Sequence, residues 1–435
     1  MKICIVSPPL GYRGSEKYVA QCACIYREME KDAEVIIISQ RAGNGFVYES
    51  LRAKKYDIRQ YENDEEMRGV YDEIIRENPT FIHIHRAGWF EKKRAHLLKK
   101  AHKNNIPVIE TNIFGRIDYF TGRYIDAHLH VSLWDLFQWN SRKRMLPYSR
   151  SQFGIYLPNC IDSAAFMRSS EEEIRAFKEK HNIPAGNFVV GRIGNTNWNA
   201  ISVALHSFVK RHENTVLISV DDHAGKHAAA ATLLVDAQVR VIPLILTSNE
   251  LCAFYSACDI FLASSGVGET FGYVIAESML CETPVLTIST PNYGNAQTEL
   301  VVQNKTGFIA GSLQALAPLL NMLYENPEHI ARARLNCRAR VVSEYDKRVV
   351  AERLKIVANT IMSCRENFSR KEFVKKLKQQ FAWKSPHSIF FTIKELKKNS
   401  YPPHDKKSFA QMILRWNPFW FFLHERMRVL IKKAH

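Results

Sequence analysis

Two glutamates, Glu269 and Glu277, stand eight positions apart in the segment from Cys258 to Leu280, and their surroundings make them candidates for chemistry. An apolar strand pattern, Asp259–Ala263, runs into a loop with two glycines, Gly266 and Gly268. A helical pattern follows, with Gly272 at its start. The free N–H groups and the dipole of a helix N-terminus favour a phosphate. Gly272, having no Cβ, would let a diphosphate approach the backbone closely. Glu269 in the loop is expected to face a ligand. Glu277, one to two turns into the helix, could accept hydrogen bonds from two neighbouring hydroxyls, such as a ribose diol. The bland alternative is a solvated Glu277 and a surface loop at Glu269. The position between two apolar strands, on a glycine-bearing strand-to-helix turn, favours the ligand-binding role.

Such residues need a rigid frame, and the chain supplies strand and helix patterns in alternation. In the first half, Ile3–Val6, Ala33–Ile38, Phe81–His85, Pro107–Thr111 and Ala127–Ser132 are compact apolar runs. Helical stretches near Tyr18–Met29, Glu65–Glu77 and Lys92–Lys103 separate several of them. The pattern restarts with strands at Asn187–Ile193, Thr215–Val220, Val239–Leu244, Asp259–Ala263 and Pro284–Ile288. Helices are expected there at Ala200–Arg211, Ala224–Leu234, Asn249–Ala257 and Gly272–Leu280. This alternation predicts an α/β chain of two doubly wound, Rossmann-like parallel-sheet domains facing a cleft. The junction is placed near Pro158, giving domains over 1–157 and 158–340. A closing helix over 341–364 and a basic aromatic tail over 365–435 follow, with His329–Ser363 mostly helical and closing the second domain.

His85 ends its strand, where ligand-facing residues are found, and is a candidate catalytic or substrate-contacting residue. The alternative is a satisfied strand-end histidine. His128 and His130 alternate along a strand and are read as structural. Of the nine cysteines only Cys22 and Cys24 are close, with no second pair to complete a zinc site. Reduced, buried thiols in a reducing compartment are expected. The start of the chain breaks at Pro8 and Pro9 and shows no signal peptide, and no run approaches the roughly 18 apolar residues of a spanning helix. A cytoplasmic location follows, with any membrane contact peripheral. The net charge is +16, yet the segment from Arg365 onward alone carries 17 Lys and Arg against five acidic residues. Its ending, Trp416 to Lys433, sets aromatics beside Arg and Lys. That composition suits an anionic membrane surface, packing on the first domain, or, least of the three, a nucleic acid strand.

The Glu269–Glu277 segment resembles the E-x7-E signature of the retaining GT-B glycosyltransferases of the "glycosyl transferases group 1" type. Other matches occur in family order. Gly14-Ser15-Glu16 resembles the end of a Gly-Gly-x-Glu loop, Pro79–His85 the "P-D-V-V-H-x-H" strand, and Leu157–Asp162 the interdomain "I-P-N-G-I-D". Val190–Ile193 resembles the "V-G-R-L" strand opening the donor domain. Thr298-Glu299 with Lys305–Phe308 resembles "P-E-V-V … G-x-T-G-F". The resemblance implies a sugar transfer from a nucleotide diphosphate donor, UDP- or GDP-linked, to a glycan or lipid-linked acceptor. It casts Glu277 as the ribose ligand and Glu269 as the residue that orients the donor sugar. Phe271 and Gly272 become backbone donors to the diphosphate, Arg192 the cation offsetting the leaving charge, and Gly14 the loop glycine closing over the donor.

The implied chemistry is electrostatic, with no metal and no cofactor. The acidic pair Asp221-Asp222 is read as solvated turn residues. Three positions depart from the family pattern. The usual diphosphate lysine is replaced around Asn197 and Trp198, Arg13 replaces the first glycine of the N-terminal pair, and Thr111 is followed by Asn112 and Ile113 where "T-x-H" is common. The competing expectation is a catalytically degenerate sugar-nucleotide-binding subunit. A sugar-nucleotide epimerase or a phosphorylase is the weaker third.

Overall fold

Ile3, Ile5, Cys4 and Val6 are all fully buried, so an unbroken apolar run here marks a strand covered on both faces. In the computed structural model it is β1 (Lys2–Ser7), an interior strand of a seven-stranded sheet. The others are β2 (Glu34–Gln40), β3 (Asp57–Tyr61), β4 (Phe81–Arg86), β5 (Val108–Asn112), β6 (Ala127–His130) and β7 (Gly154–Tyr156). Their spatial order is β3-β2-β1-β4-β5-β6-β7, every neighbouring pair parallel. A second sheet holds β8 (Phe188–Ile193), β9 (Thr215–Asp221), β10 (Val239–Pro243), β11 (Ile260–Ala263), β12 (Val285–Ile288) and β13 (Gly307–Ala310). Its order is β10-β9-β8-β11-β12-β13, again all parallel. The structure describes residues 1–435 except 12, 31, 42–44, 144–151, 194–197, 222–237, 246, 292, 367 and 382–435.

Side chains alternate across each sheet and feed a core on either face. Ile3 and Ile5 join Tyr18, Val19, Cys22 and Tyr26 of helix Gly14–Met29. Cys4 and Val6 join Met67, Tyr71 and Ile74 of helix Asp64–Glu77. In the second sheet Val189 and Phe261 face one core and Val190, Ile260 and Leu262 the other. Each fully buried aliphatic side chain contributes about 1.5–3 kcal/mol.

The chain divides into two units. Among the described residues, Met1–Cys160 takes back the chain from Lys347 to Phe381, and the other unit spans Ile161–Asp346. This corrects the expectation that His329–Ser363 closes the second domain. The stretch breaks at Asp346, whose φ of −58° and ψ of 143° end helix Glu328–Tyr345. Helix Lys347–Met362 then returns to the first unit, burying Val350, Leu354, Val357 and Ile361 in the core beneath helix Gly14–Met29.

The start of the basic tail also belongs to the first unit. Helix Arg370–Gln380 buries Phe373 and Leu377, and Arg370 pairs with Asp126 at 2.7 Å. The expected helix Ala224–Leu234, the Asn195–Asn197 loop and the aromatic ending around Trp416, Phe419 and Trp420 lie outside the described residues. Among the described residues no helix is long and apolar enough to cross a membrane.

Candidate functional site

In an open α/β sheet, ligands bind outside the carboxyl ends of the strands where the strand order reverses. In the second unit that point lies between β8 and β11. Arg192 is the next-to-last residue of β8, and Glu269 lies on the loop after β11. In the first unit the reversal lies between β1 and β4. Gly14 follows β1, and His85 is the next-to-last residue of β4. Arg192, Glu269, Gly14 and His85 therefore lie beside the switch points of their own sheets.

The Glu269 loop is held by its own backbone and by Gln297. Gly268 adopts φ +67°, and a Cβ there would meet Gly294 O at 1.8 Å, so only glycine fits. Ser265 Oγ donates to Gly268 O at 3.1 Å. The Glu269 N–H donates to Gln297 Oε1 at 3.0 Å, and Ala296 N donates to Glu269 O at 3.0 Å. Gln297 is buried and in turn donates to Ile288 O and Thr290 Oγ1. The sequence reading passed over Gln297. A buried amide beside the Thr298-Glu299 motif is the signal that would have found it.

The Glu269 residue keeps some contact with solvent, yet protein surrounds its carboxyl closely enough that burial pushes its pKa up to about 7. Its acid and its carboxylate are thus both accessible near neutral pH.

Gly272 caps helix Tyr273–Leu280 in the left-handed region, φ +96° and ψ 67°, a conformation open to glycine at little strain. A Cβ at Gly272 would lie 3.4 Å from Glu269 Cγ, so the loop glutamate packs directly over the helix start. Phe271 is buried between Tyr273 and Tyr345, with centroids 5.0 and 5.6 Å away, and anchors the main chain at that start. A helix start leaves N–H groups without intrahelical acceptors, which suits an anion.

Glu277 is not the solvated residue of the bland alternative, because only 3% of it is exposed. Tyr255 of helix Ser248–Ala257 donates its hydroxyl to Glu277 Oε2 at 2.9 Å. Burial, then the neighbouring Glu277 charge, raises the Tyr255 pKa far above its ordinary value, so the phenol stays protonated and donating. At the other end of the helix, Arg338 donates to Leu280 O at 2.8 Å and to Phe166 O and Ser163 O. A cation at a helix C-terminus satisfies carbonyls left open there and opposes the dipole. Arg192 is buried with 6% exposure at the end of β8.

In the first unit Gly14 is the first residue of helix Gly14–Met29. Glu16 reaches back to accept from the Arg13 N–H at 2.7 Å, the half of a capping box supplied by an N3 glutamate. His85 is fully buried beneath this helix, edge-on to Tyr18. Its nitrogens reach no solvent here, which sets it apart from an exposed general base.

A buried charge network was missed by the sequence reading. Arg86 of β4 bonds Glu110 of β5 through Nε and Asp118 through Nη1 at 2.9 Å. Glu110 also pairs with His128, whose Nε2 meets Gln152. Arg86 and His128 offset the cost of burial and hold the Glu110 carboxyl down at about 2. Asn112, where a "T-x-H" would begin its second position, is engaged as a loop clamp. Its Nδ2 donates to Arg116 O at 2.8 Å, and its Oδ1 accepts from Arg116 N at 3.2 Å.

Comparison with known proteins was made against this geometry. Residues 172–341, inside the second unit, match the family described as "Glycosyl transferases group 1". No curated protein matches by sequence. Among solved structures, a glycosyltransferase from Rickettsia africae aligns with a TM-score of 0.68 at 15% identity, covering 83% of this chain and 98% of that one. Anabaena HepE in complex with UDP and glucose aligns with a TM-score of 0.64 at 18% identity, covering 83% of this chain and 100% of that one. WaaG, a glycosyltransferase involved in lipopolysaccharide biosynthesis, gives 0.58 at 13% identity over 82% and 99%. At these identities the likeness establishes the fold, the GT-B type with two Rossmann-like α/β domains in one chain.

Proposed function

We propose that the chain is a retaining glycosyltransferase that moves a sugar from a nucleotide diphosphate donor, UDP- or GDP-linked, to a hydroxyl of a glycan or lipid-linked acceptor. One observation carries this reading. A buried carboxylate, Glu277, is held by Tyr255 on a helix whose start, Gly272, is bare of side chain and packed against a second carboxylate, Glu269. A diol ligand, an anion cradle and a sugar-orienting acid are the three parts a nucleotide-sugar donor calls for. The match of residues 172–341 supports it. So does the fold shared with HepE, which was crystallised with UDP and glucose and with UDP-glucose.

In this reading Glu277 accepts from the ribose hydroxyls, and the main chain at Phe271 and Gly272 binds the diphosphate. Arg192 and the helix start offset the charge that grows on the leaving diphosphate as the sugar acquires oxocarbenium character. Glu269 orients the donor sugar through its hydroxyls. Gly14, at the start of its helix, is the loop glycine assigned to donor binding. No cofactor takes part, and the leaving group needs no metal. The enzyme works in the cytoplasm, with the tail beyond Phe381 as its contact with an anionic membrane.

The test is a donor screen. Full-length protein is titrated with nucleoside diphosphates and their sugars by thermal shift, and any hit is assayed for hydrolysis and transfer with and without EDTA. Turnover that persists in EDTA and keeps the anomeric configuration supports the reading. Asn112 and Ile113, where the family has its histidine, favour a second reading, a binding subunit without turnover. Tight donor binding with no hydrolysis or transfer would select that one.

A further inference from the structure

Cys22 and Cys24 are near neighbours in sequence but part company in the fold. The Cys24 thiol sits 3.0 Å from Glu28 Oε1 at the surface, while Cys22 is fully buried under helix Gly14–Met29. There it meets β4. His83 and His85 are two positions apart on that strand, so they share one face. Their ring centroids are 4.3 Å apart. The Cys22 thiol and one nitrogen from each imidazole all lie within 4.8 Å of one another.

His83 is satisfied, with Nδ1 at 2.9 Å from Tyr26 Oη and Nε2 at 2.8 Å from Thr111 Oγ1. His85 is not. Both its nitrogens are buried without a hydrogen-bond partner among the described residues. Buried polar atoms are rarely left in that state, because desolvation is then uncompensated. The Tyr18 ring packs edge-on to His85, and its hydroxyl lies beside the Cys22 thiol.

We infer that Cys22, His83 and His85 form a binding site for one soft d10 metal ion, Zn2+ or Cu+. The donor set decides the class. One thiolate and two imidazoles suit zinc and cuprous copper, whereas magnesium and calcium take oxygen. With bond lengths of about 2.0–2.3 Å, ligand atoms around such an ion stand roughly 3.3–3.8 Å apart, which modest side-chain rotation reaches from here.

Binding displaces the Cys22 thiol proton to solvent and frees one His83 nitrogen from Tyr26 or Thr111. The single thiolate charge neutralises that of Cu+. Zn2+ would need a fourth ligand, and the buried, unpartnered Tyr18 hydroxyl is the nearest polar group named beside the Cys22 thiol. The ion would pin helix Gly14–Met29 to β4 and thereby fix the helix start at Gly14. It lies wholly within the first unit, and it gives His85 a ligand's role in place of the catalytic one expected from sequence.

The experiment uses full-length, untagged protein expressed separately with added zinc and added copper, then dialysed. Metal content and X-ray absorption are measured on wild type, Cys22→Ser and His85→Gln. The inference expects about one equivalent, a shell of one sulfur and two imidazole nitrogens, and loss of most of the ion in both variants. Zinc and copper growth distinguish the two ions. Folded wild type that carries no metal from either growth overturns the site. So does a shell without sulfur, or undiminished metal in a folded variant. Should Cys22→Ser fail to fold, His85→Gln and the wild-type absorption spectrum still decide.

Discussion

Tyr255 donates to Glu277 across 2.9 Å, and this one bond ties helix Ser248–Ala257 to the middle of helix Tyr273–Leu280. It fixes one oxygen of a buried carboxylate and so sets where the other can point. Tyr255→Phe removes the donor and leaves the charge. Hydrogen bonds to charged groups contribute about 1.5–3 kcal/mol, so urea denaturation should show a loss in that range. Donor affinity should fall as well, by less than in Glu277→Ala. A variant with unchanged stability and affinity would contradict the positioning role.

Glu269 makes stability depend on pH in an unusual direction for a carboxylate. Its pKa in the folded protein, about 7, lies above the ordinary 4.5, so folding favours the neutral acid. Measured against Glu269→Gln, the wild type keeps its full margin below about pH 4.5 and loses it as pH rises through about 7. Denaturation of both proteins across that window checks this. A constant difference between them would show that the carboxyl titrates normally. Glu269→Ala should mainly lower turnover.

Arg86 neutralises Glu110 and Asp118 inside the first unit. Arg86→Met strands those charges, and breaking a buried pair by removing one partner typically costs about 3–5 kcal/mol. Glu110 has the opposite pH sign to Glu269. Its pKa of about 2 is below the ordinary 4.5, so its contribution is complete above 4.5 and is lost as pH falls toward 2. Acid denaturation of wild type should therefore begin below about pH 4.5, and Arg86→Met should flatten that limb. A destabilisation below about 1 kcal/mol would reject the network's structural role.

The tail carries the proposed membrane contact, and the structure moves the place to cut it. A truncation at Arg365 would remove Phe373 and Leu377 from the first core. A chain ending at Phe381 keeps them. That protein should stay folded and lose co-sedimentation with anionic vesicles. The full-length chain should bind them less as salt shortens a screening length of about 10 Å at 0.1 M. Equal binding by both chains would reject the anchor.

Much of this frame was legible because parallel strands buried on both faces leave unbroken apolar runs, as β1, β2 and β11 do. β3 was not, because an edge strand written Asp57-Ile58-Arg59-Gln60-Tyr61 satisfies its charges locally, Arg59 with Asp57 and Glu77, and leaves no apolar run. Helix Lys347–Met362 continues the periodicity of the helix before it, and only the turn at Asp346 assigns it to the other unit. The Glu269–Glu277 pair was readable because a strand-loop-helix site is contiguous. Arg86, Glu110 and Asp118, like Cys22 and His83, are drawn together from distant strands and helices, so no local spacing announces them.

The most direct test of the central claim is calorimetric titration of wild type and Glu277→Ala with UDP, GDP and their sugars. The account predicts that wild type binds at least one diphosphate. Glu277→Ala should remain folded and bind it at least roughly tenfold more weakly, the loss of one charge-assisted hydrogen bond. Binding of equal strength by the two proteins, or no diphosphate bound by wild type, would contradict it.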